Sequence, residues 1–153
     1  MAEFEPAIEI TLKNEGGLVD NPSDPGGLTN FGLSQRSYPN VNIRNLTAEE
    51  AKAIYLRDFW RFGGITDQTV ANKILDMTAN MGHAAIKLVQ KAVGFSQQDG
   101  VYGPVTEAAI NSYAPGVLLP LYRGLLVQHY EAIVAANPAE SVFLKGWVTR
   151  ANQ

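Results

Sequence analysis

The stretch NEGGLVDNPSDPGGLTNFGLS, residues 14–34, sets acids among turn residues directly after the first apolar-periodic segment. Glu15 is the last side chain before Gly16-Gly17, a pair that stops a helix. Its carboxylate would face the negative end of the helix dipole, which disfavours ionisation. Partial burial beside apolar residues pushes the same way. Nine positions on, Asp24 follows Pro22-Ser23 and precedes Pro25-Gly26-Gly27, a turn open to water that keeps an acid ionised. Thr29 comes five positions later, with a hydroxyl able to position a water. Two carboxylates in contrasting surroundings are the acid/base pair of glycoside hydrolysis. The same residues have a plainer reading, in which Glu-Gly-Gly is a helix end and Asp-Pro-Gly-Gly a turn. The pattern by itself leaves both open. It does exclude a calcium loop, because Pro22, Pro25 and Phe31 stand where an EF-hand needs a ligand, a Gly and a Glu.

The elements that must position these residues follow from periodicity. Phe4, Ile8 and Leu12 recur at helical spacing, and Pro6 suits a first turn, so a first helix runs from Pro6 to the glycines. Residues 18–33 fit a small irregular sheet or hairpin. Thr47 with Glu50 three positions later forms a capping box that opens a helix with Ala51, Ile54 and Tyr55 on its apolar face. That helix ends at Gly63-Gly64-Ile65. Residues 66–93 are helical with a break at Gly82, and Asp99-Gly100 is a turn before a helix started by Pro104. Residues 117–136 form a very apolar helix with Pro120 in or near its first turn; it is read as a buried central helix because Arg123, Gln128, His129 and Glu131 interrupt it. Residues 141–151 form a last short helix. The reading is a mainly α single domain over 1–153 with a small β insert near the N-terminus; that it is lysozyme-like is what the resemblance given below implies. Residues 1–65 carry the candidate acids and the β insert, the lobe the resemblance below makes catalytic, and 66–153 form a helical lobe.

Composition narrows the classes of function. With 153 residues, 46% hydrophobic and 18% charged, the chain can bury a real core. A net charge of −3 argues against a nucleic-acid partner, which needs a basic face. There is no cysteine, so no disulfide or cysteine-bound metal is expected, and His83 and His129 lack a partner at ligand spacing. Both are read as structural or solvent-facing. No metal and no cofactor is expected. The first residues carry acids where a signal peptide needs Lys or Arg, and no segment has the length of a membrane span. A monomeric cytoplasmic product without a membrane anchor is the expectation. Among the aromatics, Tyr55 and Phe59 are placed in the core by helical spacing, while Trp60 and Phe62 fit either core or sugar stacking. Trp147 and Arg150 are expected to tie the last helix onto the domain.

NEGGLVDNPSDPGGLTNFGLSQRSYP resembles glycoside hydrolase family 108, the N-acetylmuramidases of phage endolysins and related bacterial wall hydrolases. ILDMTANMGHAAIKLVQKAVG, DGVYGPVT and FLKGWVTRAN are similar to the type 3 peptidoglycan-binding segment that accompanies that family. The resemblance implies that Glu15 is the catalytic acid, Asp24 and Thr29 complete a Glu–Asp–Thr triad, and Asn80 faces the substrate cleft. Two departures stand out. Leu18 replaces an aromatic after Glu-Gly-Gly, and Asp20-Asn21-Pro22 replaces Asn-Asp-Pro, which makes Asp20 a competing second carboxylate in contact with substrate.

The implied substrate is bacterial peptidoglycan, bound through sugar contacts because an acidic chain is not steered to an anionic wall. The implied reaction is hydrolysis of the β-1,4 bond between N-acetylmuramic acid and N-acetylglucosamine. Inversion is expected because the acid sits on a helix end and the second carboxylate on a separate loop, with room for a water between. Release from the host cytoplasm to the wall through a holin is expected because no secretion signal is visible. A lytic transglycosylase, which needs one acid/base and no water-activating carboxylate, is the first alternative. A non-catalytic peptidoglycan-binding module is the second.

Overall fold

The computed structural model describes residues 1–22 and 26–153. Helix α1 spans Phe4–Glu15, two residues ahead of the expected start, with Pro6 inside the first turn where its missing N–H costs nothing. Ala7, Ile8 and Thr11 are its buried residues, and Phe4 and Leu12 pack on the core while staying partly exposed. Gly16 ends it at φ 73°, with its N–H on the carbonyl of Leu12.

The predicted insert is a three-stranded antiparallel sheet, β1 Val19–Asp20, β2 Leu28–Asn30 and β3 Leu33–Ser34, in that order. Val19 pairs with Thr29, and Asn30 with Leu33. The two residues between β2 and β3, Phe31 and Gly32, both have positive φ, 51° and 78°, as a tight type I′ hairpin requires. Asn30 is buried and its Nδ2 donates to the carbonyl of Ile43, which fastens the sheet to a 3-10 turn at Ile43–Asn45.

Helix α2, Ala48–Asp58, begins with the expected capping box: Thr47 Oγ1 accepts the Glu50 N–H at 3.2 Å, and Glu50 Oε2 accepts the Thr47 N–H at 2.8 Å. Ala51, Ile54 and Tyr55 are buried as predicted. The helix stops at Asp58, short of Gly63, because the N–H groups of both Phe59 and Trp60 turn back onto the Tyr55 carbonyl. The chain then dives inward. Trp60 packs edge-on against Phe4 and Phe62, and Phe62 against Tyr102. Phe62 is buried and Trp60 half-buried against the core, so packing accounts for both.

Helix α3, Gln68–Met81, is capped by Asp67 and runs through the middle of the molecule with Val70, Ala71, Ile74, Leu75 and Met77 buried. Helix α1 lies along it. Gly82, at φ 62°, separates α3 from α4, His83–Ala92. The Asp99-Gly100 turn leads to α5, Pro104–Asn111, with Pro104 at its first position. Helix α6, Pro115–Ala136, buries one side only, through Leu118, Leu119, Tyr122, Leu126 and Tyr130, while Val117 and Leu121 are exposed. The central position expected for residues 117–136 belongs to α3, because α6 packs on α3, α4 and α7 with one face and leaves Val117 and Leu121 exposed on the other. Pro120 is the sixth residue of the helix, near the first turn as expected. Helix α7, Ser141–Asn152, closes the fold with Ala151 buried. No described helix is long and apolar enough to cross a membrane.

Candidate active site

Glu15 ends α1 with its side chain 15% exposed. Arg150, from the last turns of α7, donates from Nη2 to Glu15 Oε1 at 2.8 Å. The same guanidinium forks onto Asp76 of α3, with Nε on Oδ2 at 3.1 Å and Nη2 on Oδ1 at 2.8 Å. Asp76 is buried, and Asn14 donates its Nδ2 to Asp76 Oδ2 and to Gln153 Oε1. Burial works against the charge of Arg150, but the Asp76 hydrogen bond and the charges of Asp76 and Glu15 outweigh it and raise its pKa further. Lys73, also buried, donates Nζ to the Arg150 carbonyl at 2.5 Å. Burial pushes the Lys73 ammonium down to about 8 against the opposing pull of Asp76. Three helices therefore meet at one ionic cluster, with Glu15 at its edge.

The β2–β3 hairpin supplies the other wall. A Cβ placed on Gly32 would lie 2.7 Å from Glu15 Cγ and 2.7 Å from Tyr55 Oη. Glycine is required here twice, for its φ of 78° and for the closeness of the acid. Tyr55 Oη donates to the Phe31 carbonyl at 2.9 Å and so holds the turn in place. Burial first, then the negative charge of Glu15, raises the Tyr55 phenol far above its usual range, which keeps it a donor.

The other expected site residues fall as follows. Thr29 sits partly buried on β2, two residues before the turn that packs on Glu15. Asp20 sits exposed on β1, opposite Leu28, in an ion pair with Arg44 at 2.5 Å. Asn80 is one helical turn beyond Asp76 on α3, and its Oδ1 accepts the Tyr130 hydroxyl at 2.5 Å. Asp24 lies outside the described residues. His83 binds the Gly100 carbonyl through Nδ1 at 3.1 Å, a structural contact. Among the described residues no cluster of His, Asp or Glu has the arrangement of a metal site.

Arg150 and Asp76 were missed as site residues. Their signal was present: an acid among the apolar residues of 70–77, and an arginine near the end of a chain that needs a buried partner. Nothing in the sequence says that the two meet beside Glu15.

The description Glycosyl hydrolase 108 matches residues 8–82, and Predicted Peptidoglycan domain matches residues 84–152. No curated protein matches. Among solved structures, that of Brucella abortus SagA is similar at 30% identity and a TM-score of 0.78, over 97% of this chain and 88% of the other. The chain belongs to the glycosyl hydrolase 108 family. It is a glycoside hydrolase with a lysozyme-like fold. The two matches meet at the Gly82 break between α3 and α4. Glu15, Thr29, Asp76 and Asn80 come from the glycosyl hydrolase part, whereas Arg150 comes from the Predicted Peptidoglycan part. The acid is thus held by a side chain from the other match.

Proposed function

We propose that this glycoside hydrolase is an N-acetylmuramidase that hydrolyses the β-1,4 bond between N-acetylmuramic acid and N-acetylglucosamine, with Glu15 as general acid. The observation that carries the reading is the fixed carboxyl at a helix end: Arg150 takes Oε1, and Gly32 with Tyr55 confines the stem. The ion pair holds the ionised form, opposite to the protonated form expected of a helix-end acid, so the acid role requires Oε2 to take up a proton before passing it to the glycosidic oxygen. The match of residues 84–152 to a peptidoglycan domain supports the substrate class.

Asp24, with the Thr29 hydroxyl, activates a water on the opposite face of the sugar ring, and the reaction inverts the anomeric carbon. Such a mechanism places the two carboxyls roughly 6.5–9.5 Å apart, leaving room for the water. Asp20 contacts substrate from β1 and Asn80 from α3. The enzyme works as a monomeric endolysin that reaches the wall from the cytoplasm through a membrane-permeabilising partner of the holin type.

Mass spectrometry and NMR of digested peptidoglycan test the chemistry. The expected products are reducing muropeptides that appear first as the α-anomer. Ends in 1,6-anhydro form would mean transglycosylation, and a β-anomer first would mean retention. Glu15→Gln, nearly isosteric, should fold normally and lose at least a thousandfold in lysis rate, a loss on the scale of removing an acid/base group. Wall clearance at the parent rate would refute the assignment.

A further inference from the structure

An open cavity of about 630 Å³ lies beside Arg150, walled by Asn14 at the end of α1, Asn80 on α3, and Val142, Lys145, Trp147 and Arg150 on α7. It is one side chain away from Glu15, since Arg150 lines it and binds that carboxylate. No Asp or Glu is among its lining residues, in a chain whose net charge is −3.

Its wall is aromatic. Trp147 stacks on Tyr130 with centroids 5.2 Å apart and on Phe143 at 5.6 Å. Tyr130 is buried, and its hydroxyl takes the Asn80 oxygen, which leaves the Asn80 NH2 as that side chain's donor end. The Arg150 charge is already matched by Asp76 and Glu15. Lys145 is exposed and makes no ion pair to any described residue, so the cavity has one uncommitted cation.

We infer that this cavity binds the acidic peptide stem carried by the muramic acid next to the scissile bond. The inference rests on the proposed muramidase reading and names a subsite for it. A free cation selects a carboxylate, which the stem has and which N-acetylglucosamine and a stem-bearing, amide-linked muramic acid ring lack. Amide donors and a fixed aromatic face suit a short peptide backbone. The site also gives an acidic protein a local positive pocket for an anionic wall.

The test compares Lys145→Glu with the parent on two substrates: peptidoglycan with its stems, and the same glycan after an amidase has removed them and the freed lactyl carboxylates have been converted to neutral amides. The ratio of kcat/KM on stemmed over stripped glycan should fall about tenfold. In parallel, a soluble N-acetylmuramoyl peptide with ionised carboxylates is titrated into the full-length parent and variant by NMR. Its affinity should weaken about tenfold in Lys145→Glu, with shifts in the parent at Trp147 and Asn80. Equal losses on both glycans would assign Lys145 to a sugar subsite or the fold and overturn the proposal, as would an unchanged ratio or unchanged peptide affinity. If the parent cleaves neither glycan, the muramidase reading fails, and the titration still decides whether the cavity takes the stem.

Discussion

In the proposed mechanism Glu15 serves only if its carboxyl stays where a glycosidic oxygen will arrive, and two contacts hold it in one place. Arg150 fixes one oxygen and Gly32 leaves the space through which the stem passes. Gly32→Ala puts a methyl group 2.7 Å from Glu15 Cγ and forces a side chain to positive φ. Something must shift, and the acid or Tyr55 is what lies in the way. The expected result is a destabilisation of about 1–3 kcal/mol together with a loss of about a hundredfold in kcat. Thermal melts and turnover on purified peptidoglycan check both. Parent-like kcat with a lowered Tm would mean that the hairpin supports the fold without positioning the acid.

At the scale of elements, α3 carries the unusual load. It is the central helix, yet it buries Lys73 and Asp76 to serve the cluster around Arg150. Lys73 has a folded pKa of about 8, below the usual 10.5. The unfolded chain therefore binds more protons between those values, and stability rises with pH across that window. Below about pH 8 the cost of the buried ammonium is fully present. The whole shift corresponds to roughly 3 kcal/mol. The rise is cut off near pH 10, where tyrosines of the unfolded chain ionise while burial pushes Tyr38 and Tyr130 up to about 12 in the fold. Urea unfolding at pH 7.5, 8.5 and 9, below the range where tyrosines ionise, should show increasing stability in the parent and a flat profile in Lys73→Met. A second test concerns α2: Thr47→Ala removes the cap of Glu50 N–H and should cost about 1 kcal/mol without changing kcat.

For the molecule as a whole, the meeting of α1, α3 and α7 makes its two family segments one working unit. Arg150→Ala would leave Asp76, which is 2% exposed, without its cation. Breaking a buried pair by removing one partner costs about 3–5 kcal/mol. For a chain of this size that lowers Tm by on the order of 10 °C. Activity should fall further than unfolding explains, because Glu15 loses its tether. Activity measured at 15 °C, where the variant remains folded by circular dichroism, separates the two effects. Full activity there would limit Arg150 to a structural role.

What the sequence by itself determined was local. The capping box at Thr47, the stop at Gly16, the break at Gly82 and the start at Pro104 were legible because each depends on residues within one turn of backbone. The lysozyme-like fold and the glycosidase family were legible too, because Glu-Gly-Gly and Gly-Gly-x-Thr keep their order and spacing. Tertiary structure decided the rest. The end of α2 moved to Asp58 because Trp60 and Phe62 found aromatic partners at Phe4 and Tyr102, far away in the chain. The centre passed from residues 117–136 to α3 because burial depends on how many neighbours surround a helix, which apolar content alone does not encode. Arg150 lies 135 positions from Glu15, and no periodicity links them. Only the packing of α7 against the ends of α1 and α3 makes the pair, since a buried charge must find its partner in space and not in sequence.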